Sequence, residues 1–140
     1  MFDVKTHYNI VIMGFELNIN STSLEPMQIW TKQGSHIGSE AREEDWSSIR
    51  KDMLVQGRGE GLRSPLEPGA FTRIDIAAGS TQVFYITSKE SKLRYSYSKK
   101  RGDIFTNEDL DIYVGTGVRY SFGETFPARV LNGLINYALI

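Results

Sequence analysis

Phe71 to Ser88, which reads FTRIDIAAGSTQVFYITS, constrains the fold more than any other stretch of the chain. Ile74 and Ile76 lie two apart, with Arg73 and Asp75 beside them. Ala77-Ala78-Gly79-Ser80 then makes a turn of small residues, and Val83, Phe84, Tyr85, Ile86 and Thr87 follow. Apolar residues at period two on both sides of a Gly/Ser break predict two antiparallel strands joined as a hairpin. β-Branched and aromatic side chains fill the second arm because they suit a pleated, half-buried surface.

The same pattern recurs along the chain. Phe2 and Val4 alternate with Asp3 and Lys5. Between Tyr8 and Asn20 the odd positions Val11, Met13, Phe15, Leu17 and Ile19 predict a strand with one face in the core over most of its length. Met27 to Lys32, Met53 to Gln56, Leu93 to Ser98 and Leu110 to Val114 read as further strands. Ala128 to Ile140 reads as a closing strand with a bulge or kink at Asn132-Gly133. Between these, Gln33 to Asp52 reads as a loop with one or two helical turns, Trp46 and Ile49 sharing a side at i, i+3. Arg63 to Ala70 reads as a Pro/Gly loop, Gly115-Thr116-Gly117 as a strand end, and Tyr120 to Pro127 as an aromatic loop. The expectation is an all-β fold: a two-sheet antiparallel β-sandwich, jelly-roll-like, of about eight to ten short strands. At most one short helix is expected, near 43–50, and one domain over 1–140.

Composition removes several function classes. Hydrophobic residues at 40% and charged residues at 24% exclude wholesale disorder. Sixteen basic and seventeen acidic side chains leave a net charge of −1, which predicts no nucleic-acid partner and no anionic membrane surface. The absence of cysteine removes disulfides, thiolate metal sites and a cysteine nucleophile. No apolar run approaches the roughly 20 residues that span a bilayer. Met1-Phe2-Asp3-Val4-Lys5 lacks the apolar stretch of a secretory signal.

The short motifs are weak. Gly57-Arg58-Gly59-Glu60-Gly61 runs on into Arg63-Ser64-Pro65, so no helix opens after it as a phosphate-cradling loop requires. His7 and His36 are the only histidines, without metal-ligand spacing, and read as two unrelated surface residues. A Ser-His-Asp triad assembles only in space, yet no Gly-x-Ser-x-Gly elbow is present. The expectation is that the chain is not an enzyme. No cofactor is expected; the best calcium candidate is Asn107, Asp109 and Asp111 in a turn entering a strand, without the Asp-x-Asp-x-Asp-Gly order. Glu40, Glu43, Glu44 and Asp45 form a second acidic group. Arg101-Gly102-Asp103 matches an integrin-binding tripeptide, but Gly-Asp is also ordinary turn chemistry. Asn20-Ser21-Thr22 is an N-glycosylation sequon in a predicted turn.

Several segments together carry a resemblance. They are Met1-Phe2-Asp3-Val4, Gln28 to Gly38 with Thr31-Lys32 and Gly34-Ser35, Trp46, Ala78 to Gln82 with Phe84-Tyr85, Leu93-Arg94-Tyr95, and Arg129-Val130 with Asn132-Gly133. The chain is similar, over nearly its whole length, to β-rich modules of undetermined function in secreted and cell-surface proteins of aquatic microbes and algae. The resemblance implies an extracellular, non-catalytic β-sandwich with no catalytic residues to transfer. It also makes Met1 an ordinary position of the module rather than an initiator.

Two functions are expected on this footing. The first is an extracellular structural subunit that assembles with itself into a fibril or surface layer. Leu134 to Ile140 is almost wholly apolar and lacks a charged gatekeeper, while Phe2 to Lys5 is a short strand with two apolar anchors. Residues 1–6 would then be an exchanged terminal strand, with Phe2 and Val4 as donor anchors and Leu134, Ile135 and Tyr137 lining the acceptor. The alternative pairing keeps both termini within their own sandwich. The second function is a carbohydrate-binding or adhesive module, in which Trp30, Trp46 and Tyr113 stack on glycan rings. Tyr95 and Tyr97 share a side with Leu93 and read as core or interface.

Overall fold

The computed structural model describes residues 1–98 and 104–140; Arg101-Gly102-Asp103 lies outside the described residues. Six strands make one antiparallel sheet in the order β4 (Ser47–Gln56), β3 (Leu24–Gln33), β7 (Thr81–Ser88), β1 (Phe2–Thr6), β10 (Leu110–Tyr113) and β9 (Ile104–Thr106). A second sheet runs β13 (Gly133–Leu139), β2 (Ile10–Asn18), β5 (Arg63–Pro65), with β6 (Ile74–Ile76) also paired to β2. A third holds β11 (Gly115–Val118), β12 (Thr125–Leu131) and β8 (Tyr95–Tyr97). The architecture is all-β and sandwich-like, as the alternation predicts. Among the described residues the single helical element is a 3₁₀ turn, Glu43–Asp45.

The predicted hairpin is the main local correction. Val83, Phe84, Tyr85 and Ile86 are buried in succession, so both faces of β7 are covered. Its two edges are taken by β3 and β1, with Ile29 opposite Ile86 and Phe2 opposite Phe84. No edge is left for β6, which pairs with β2 instead. The turn at Ala77 to Ser80 therefore carries the chain from one sheet to another. Thr6 Oγ1 donates to Ala77 O at 2.8 Å and Gly79 N–H to Thr6 O at 2.8 Å, which pins that crossing.

β2 departs from its predicted phase for a related reason. Asn136 faces Gly14 and Tyr137 faces Ile12, so Met13 is an unpaired extra residue. The inserted residue reverses the sides: Ile10 and Ile12 are buried before it, Phe15 and Leu17 after it, and Met13 is exposed. β4 begins at Ser47, so Trp46 ends the 3₁₀ turn and Ile49 lies in a strand rather than on a helical face. The strands number thirteen among the described residues because short Gly- and Pro-containing segments also pair. Gly115 shows why: a Cβ there would collide with the Met1 carbonyl, so its strand packs against β1 only as glycine.

The core follows from the alternation. Phe2, Val4, Ile29, Phe84 and Ile86 point from the six-stranded sheet toward Ile12, Phe15 and Leu17 of the second sheet. Phe15 meets Phe84 edge-on with centroids 5.3 Å apart. The alternate residues of the same strands point outward and form a smaller cluster of Trp30, Val83 and Tyr85, covered by Trp46 and Phe122. β1 lies between β7 and β10 of its own chain, with Phe2 and Val4 buried.

Candidate functional site

The outer face of the six-stranded sheet is only partly covered, and two cavities open there. The first is a cleft of about 410 Å³ between the end of β7 and the small β8-β12-β11 sheet. Tyr95, Tyr97 and Phe126 line it together with Arg94, Arg119 and Arg129, and no carboxylate side chain lines it among the described residues. Tyr97 is 80% exposed and Tyr95 41%. Its lining mixes aromatic and apolar side chains with fixed polar groups, the combination from which small-ligand sites are built.

Arg129 is the organising side chain. Its guanidinium carbon stands 4.1 Å over the Tyr97 ring and 6.0 Å from that of Phe126. Nη1 donates to Pro127 O at 2.7 Å, while Nε is buried without a partner among the described residues. A local bulge produces this placement. Gly115 faces Arg129 and Thr116 faces Pro127, so Ala128 is an extra residue, and its φ of 57° lies in the left-handed region. The inserted residue turns Phe126 and Arg129, three apart, toward the same cleft. Arg119 and Arg94 face Glu124 at 3.4 Å and Glu60 at 3.3 Å as exposed pairs. Such pairs are worth about 0–1 kcal/mol and yield readily to a ligand.

The second cavity, about 610 Å³, lies between the β3–β4 connection and β11–β12 and is bordered by Asp3, His36 and Thr116. His36 is buried, not at the surface as expected from sequence. Its backbone N–H donates to Asp3 Oδ1 at 3.1 Å, and its Nδ1 lies 2.7 Å from the same oxygen. Nε2 lies 3.0 Å from Thr116 Oγ1. Burial pushes the Asp3 carboxyl up, but hydrogen bonds from His36 and Ser35 and the His36 charge outweigh it and hold it below its ordinary value. The connectivity is that of an acyl-transfer triad. However, the Thr116 amide donates to Met1 O at 3.0 Å, so it is not free to stabilise an oxyanion. The relay ties β1, the β3–β4 connection and β11 together.

The glycan platform expected at Trp30 and Trp46 is corrected. Both rings are buried, at 4% and 7% exposure, because they seal the outer cluster; Trp30 meets Phe122 at 5.1 Å. Tyr113 is half-buried beside the second cavity and does not join them. Tyr95 and Tyr97, expected in a core or interface, border the open cleft instead.

The calcium candidates are likewise tied to protein partners. Asn107 Oδ1 accepts from the amides of Asp109 and Leu110 at 2.9 Å each, Asp109 accepts from the Tyr137 hydroxyl at 2.7 Å, and Asp111 accepts from Thr106 and faces His7 at 3.2 Å. No group of three metal-ligating side chains converges among the described residues. Asn20 is exposed on the β2–β3 turn, where a glycan could attach. Ile135 and Tyr137 pack on their own core, and Leu134 is half-buried. Among the described residues no helix is long and apolar enough to cross a membrane.

Comparison with known protein families, with curated proteins and with solved structures finds no match to the chain.

Proposed function

We propose that the chain is a non-catalytic, extracellular β-sandwich module that binds a saccharide in the cleft beside Tyr97. One observation supports this above the rest: an exposed tyrosine ring is held against a locked arginine at the mouth of a concave site. Tyr rings offer an apolar face to the C–H side of a pyranose and a hydroxyl at the rim. Rigid strands hold both groups in place, so little ordering is lost on binding. On a glycan array the intact protein should bind a defined subset, and Tyr97→Ala should remove that binding. An array without hits for the intact, folded protein overturns the proposal.

A second reading, self-assembly into a fibril or surface layer, draws on the sheet edges. β4 presents Arg50, Lys51 and Asp52 at its edge of the six-stranded sheet, which discourages pairing. β13 ends its sheet with no charged residue in Gly133 to Leu139. β1, an inner strand joined to β2 through His7 to Asn9, is the element a neighbour would exchange. Electron micrographs of concentrated protein should show filaments that Ala138→Lys abolishes. Single particles at every concentration would remove this reading.

A further inference from the structure

We infer that the saccharide bound in the Tyr97 cleft is acidic, carrying a sulfate or carboxylate that Arg129 grips; this rests on the cleft being the binding site. The chain has 17 acidic and 16 basic side chains, yet the described lining of the cleft holds three arginines and no carboxylate. Arg94 and Arg119 are offset by exposed glutamates outside the lining, so the uncompensated charge in the cleft is that of Arg129. It points to an anionic occupant, because positive charge held in a cleft focuses its field on the opposite sign.

Arg129 is the anchor among the three. Arg94 and Arg119 each face a glutamate, whereas no described carboxylate pairs with Arg129. Its plane is set by Tyr97 below and by Pro127 O at 2.7 Å, and the buried Nε has no partner among the described residues. A guanidinium fork held in one plane matches the two oxygens of a carboxylate or sulfate. The remaining face of Tyr97, and Tyr95 beside it, are left for the sugar ring. Arg94 and Arg119 can release their exposed glutamates and contact a second anionic group along an oligosaccharide.

The test is titration calorimetry of the whole chain with three oligosaccharides of equal length: a sulfated one, a uronate one and a neutral glucan. At least one acidic oligosaccharide should bind about 10–100-fold tighter than the neutral one, the range expected of a charge-assisted hydrogen bond. Which acidic probe wins separates sulfate from carboxylate. Arg129→Gln should abolish the preference, and Arg129→Lys, which keeps the charge but not the fork, should weaken it severalfold. If Arg129→Gln does not fold, Arg129→Lys and the exposed Arg119→Gln carry the test. Equal binding of neutral and acidic probes, lost in Tyr97→Ala, overturns the acidic assignment and leaves saccharide binding standing. No binding of any saccharide overturns both. An acidic peptide or oligonucleotide that binds tighter than every saccharide also overturns the assignment.

Discussion

The two faces of the six-stranded sheet meet different demands. The inner face is closed by the second sheet, and its contacts are hydrocarbon against hydrocarbon: Phe2, Val4, Ile29 and Phe84 over Phe15 and Leu17. The outer face carries the alternate residues of the same strands, and there aromatic rings mix with a buried Asp3–His36–Thr116 relay and two open cavities. Strand alternation thus gives the inner side a hydrocarbon core and the outer side a mixed aromatic and polar cluster, while the first cleft, where Tyr85 to Ser88 end β7, draws on residues of both parities.

Substitutions can test that division. Phe84→Ala, on the inner face, should cost about 3–5 kcal/mol in urea unfolding, since the cavity left between two sheets cannot collapse. A loss below about 1 kcal/mol would mean that the inner face is not the stabilising one. Gly115→Ala, on the outer side, drives a methyl into the Met1 carbonyl and should cost about 1–3 kcal/mol by overpacking.

Asp3→Asn should cost about 1 kcal/mol, because it weakens hydrogen bonds to a buried partner. Its effect carries a pH signature. The folded carboxyl titrates below its ordinary value of 3.8, so its contribution is present above that pH and lost as pH falls through the lower folded value. The gap in urea midpoint between the native chain and Asp3→Asn should hold from neutrality to about pH 4 and close below it. A gap that closes near neutrality would place the titrating group elsewhere. The same chain should not hydrolyse activated esters; turnover lost in Thr116→Ala would make the relay catalytic.

Tyr97→Ala should shift stability by less than about 0.5 kcal/mol, as expected of an exposed side chain away from the core, while removing binding. The smallest effect belongs to His7. The Glu108 carbonyl and Asp111 raise it above its ordinary 6.5, so its slight stabilisation is present below that pH and fades as pH rises through the folded value. His7→Asn measured by thermal unfolding at pH 5.5 and 8.5 should lose stability at the lower pH only.

The sandwich was legible in the sequence because period-two burial is a local property: Phe2, Val4, Phe15 and Leu17 announce their side within a few residues. What escaped depends on a single inserted residue or on distant partners. Met13 and Ala128 each reverse the phase of a strand without any mark in composition, and the second of these places Arg129 in the cleft. Trp30 and Trp46 read as exposed platforms because nothing local shows that the outer face has a cluster of its own. His36 reads as a surface residue because Asp3 and Thr116, its partners, lie far from it in sequence. The continuous run Val83 to Ile86 was the missed signal for an inner strand, since an edge of a hairpin would alternate.

The placement of β1 has a consequence for how the molecule comes into being. Its first ladder partner is Phe84 and its second, through Val4, is Ile112. Both ladder partners of β1 thus lie far along the chain from it, and local hairpins cannot nucleate the middle of the sheet. Pairings of such sequence separation rank this polypeptide among slow folders, with Phe2 and Val4 left without their core until those distant strands arrive.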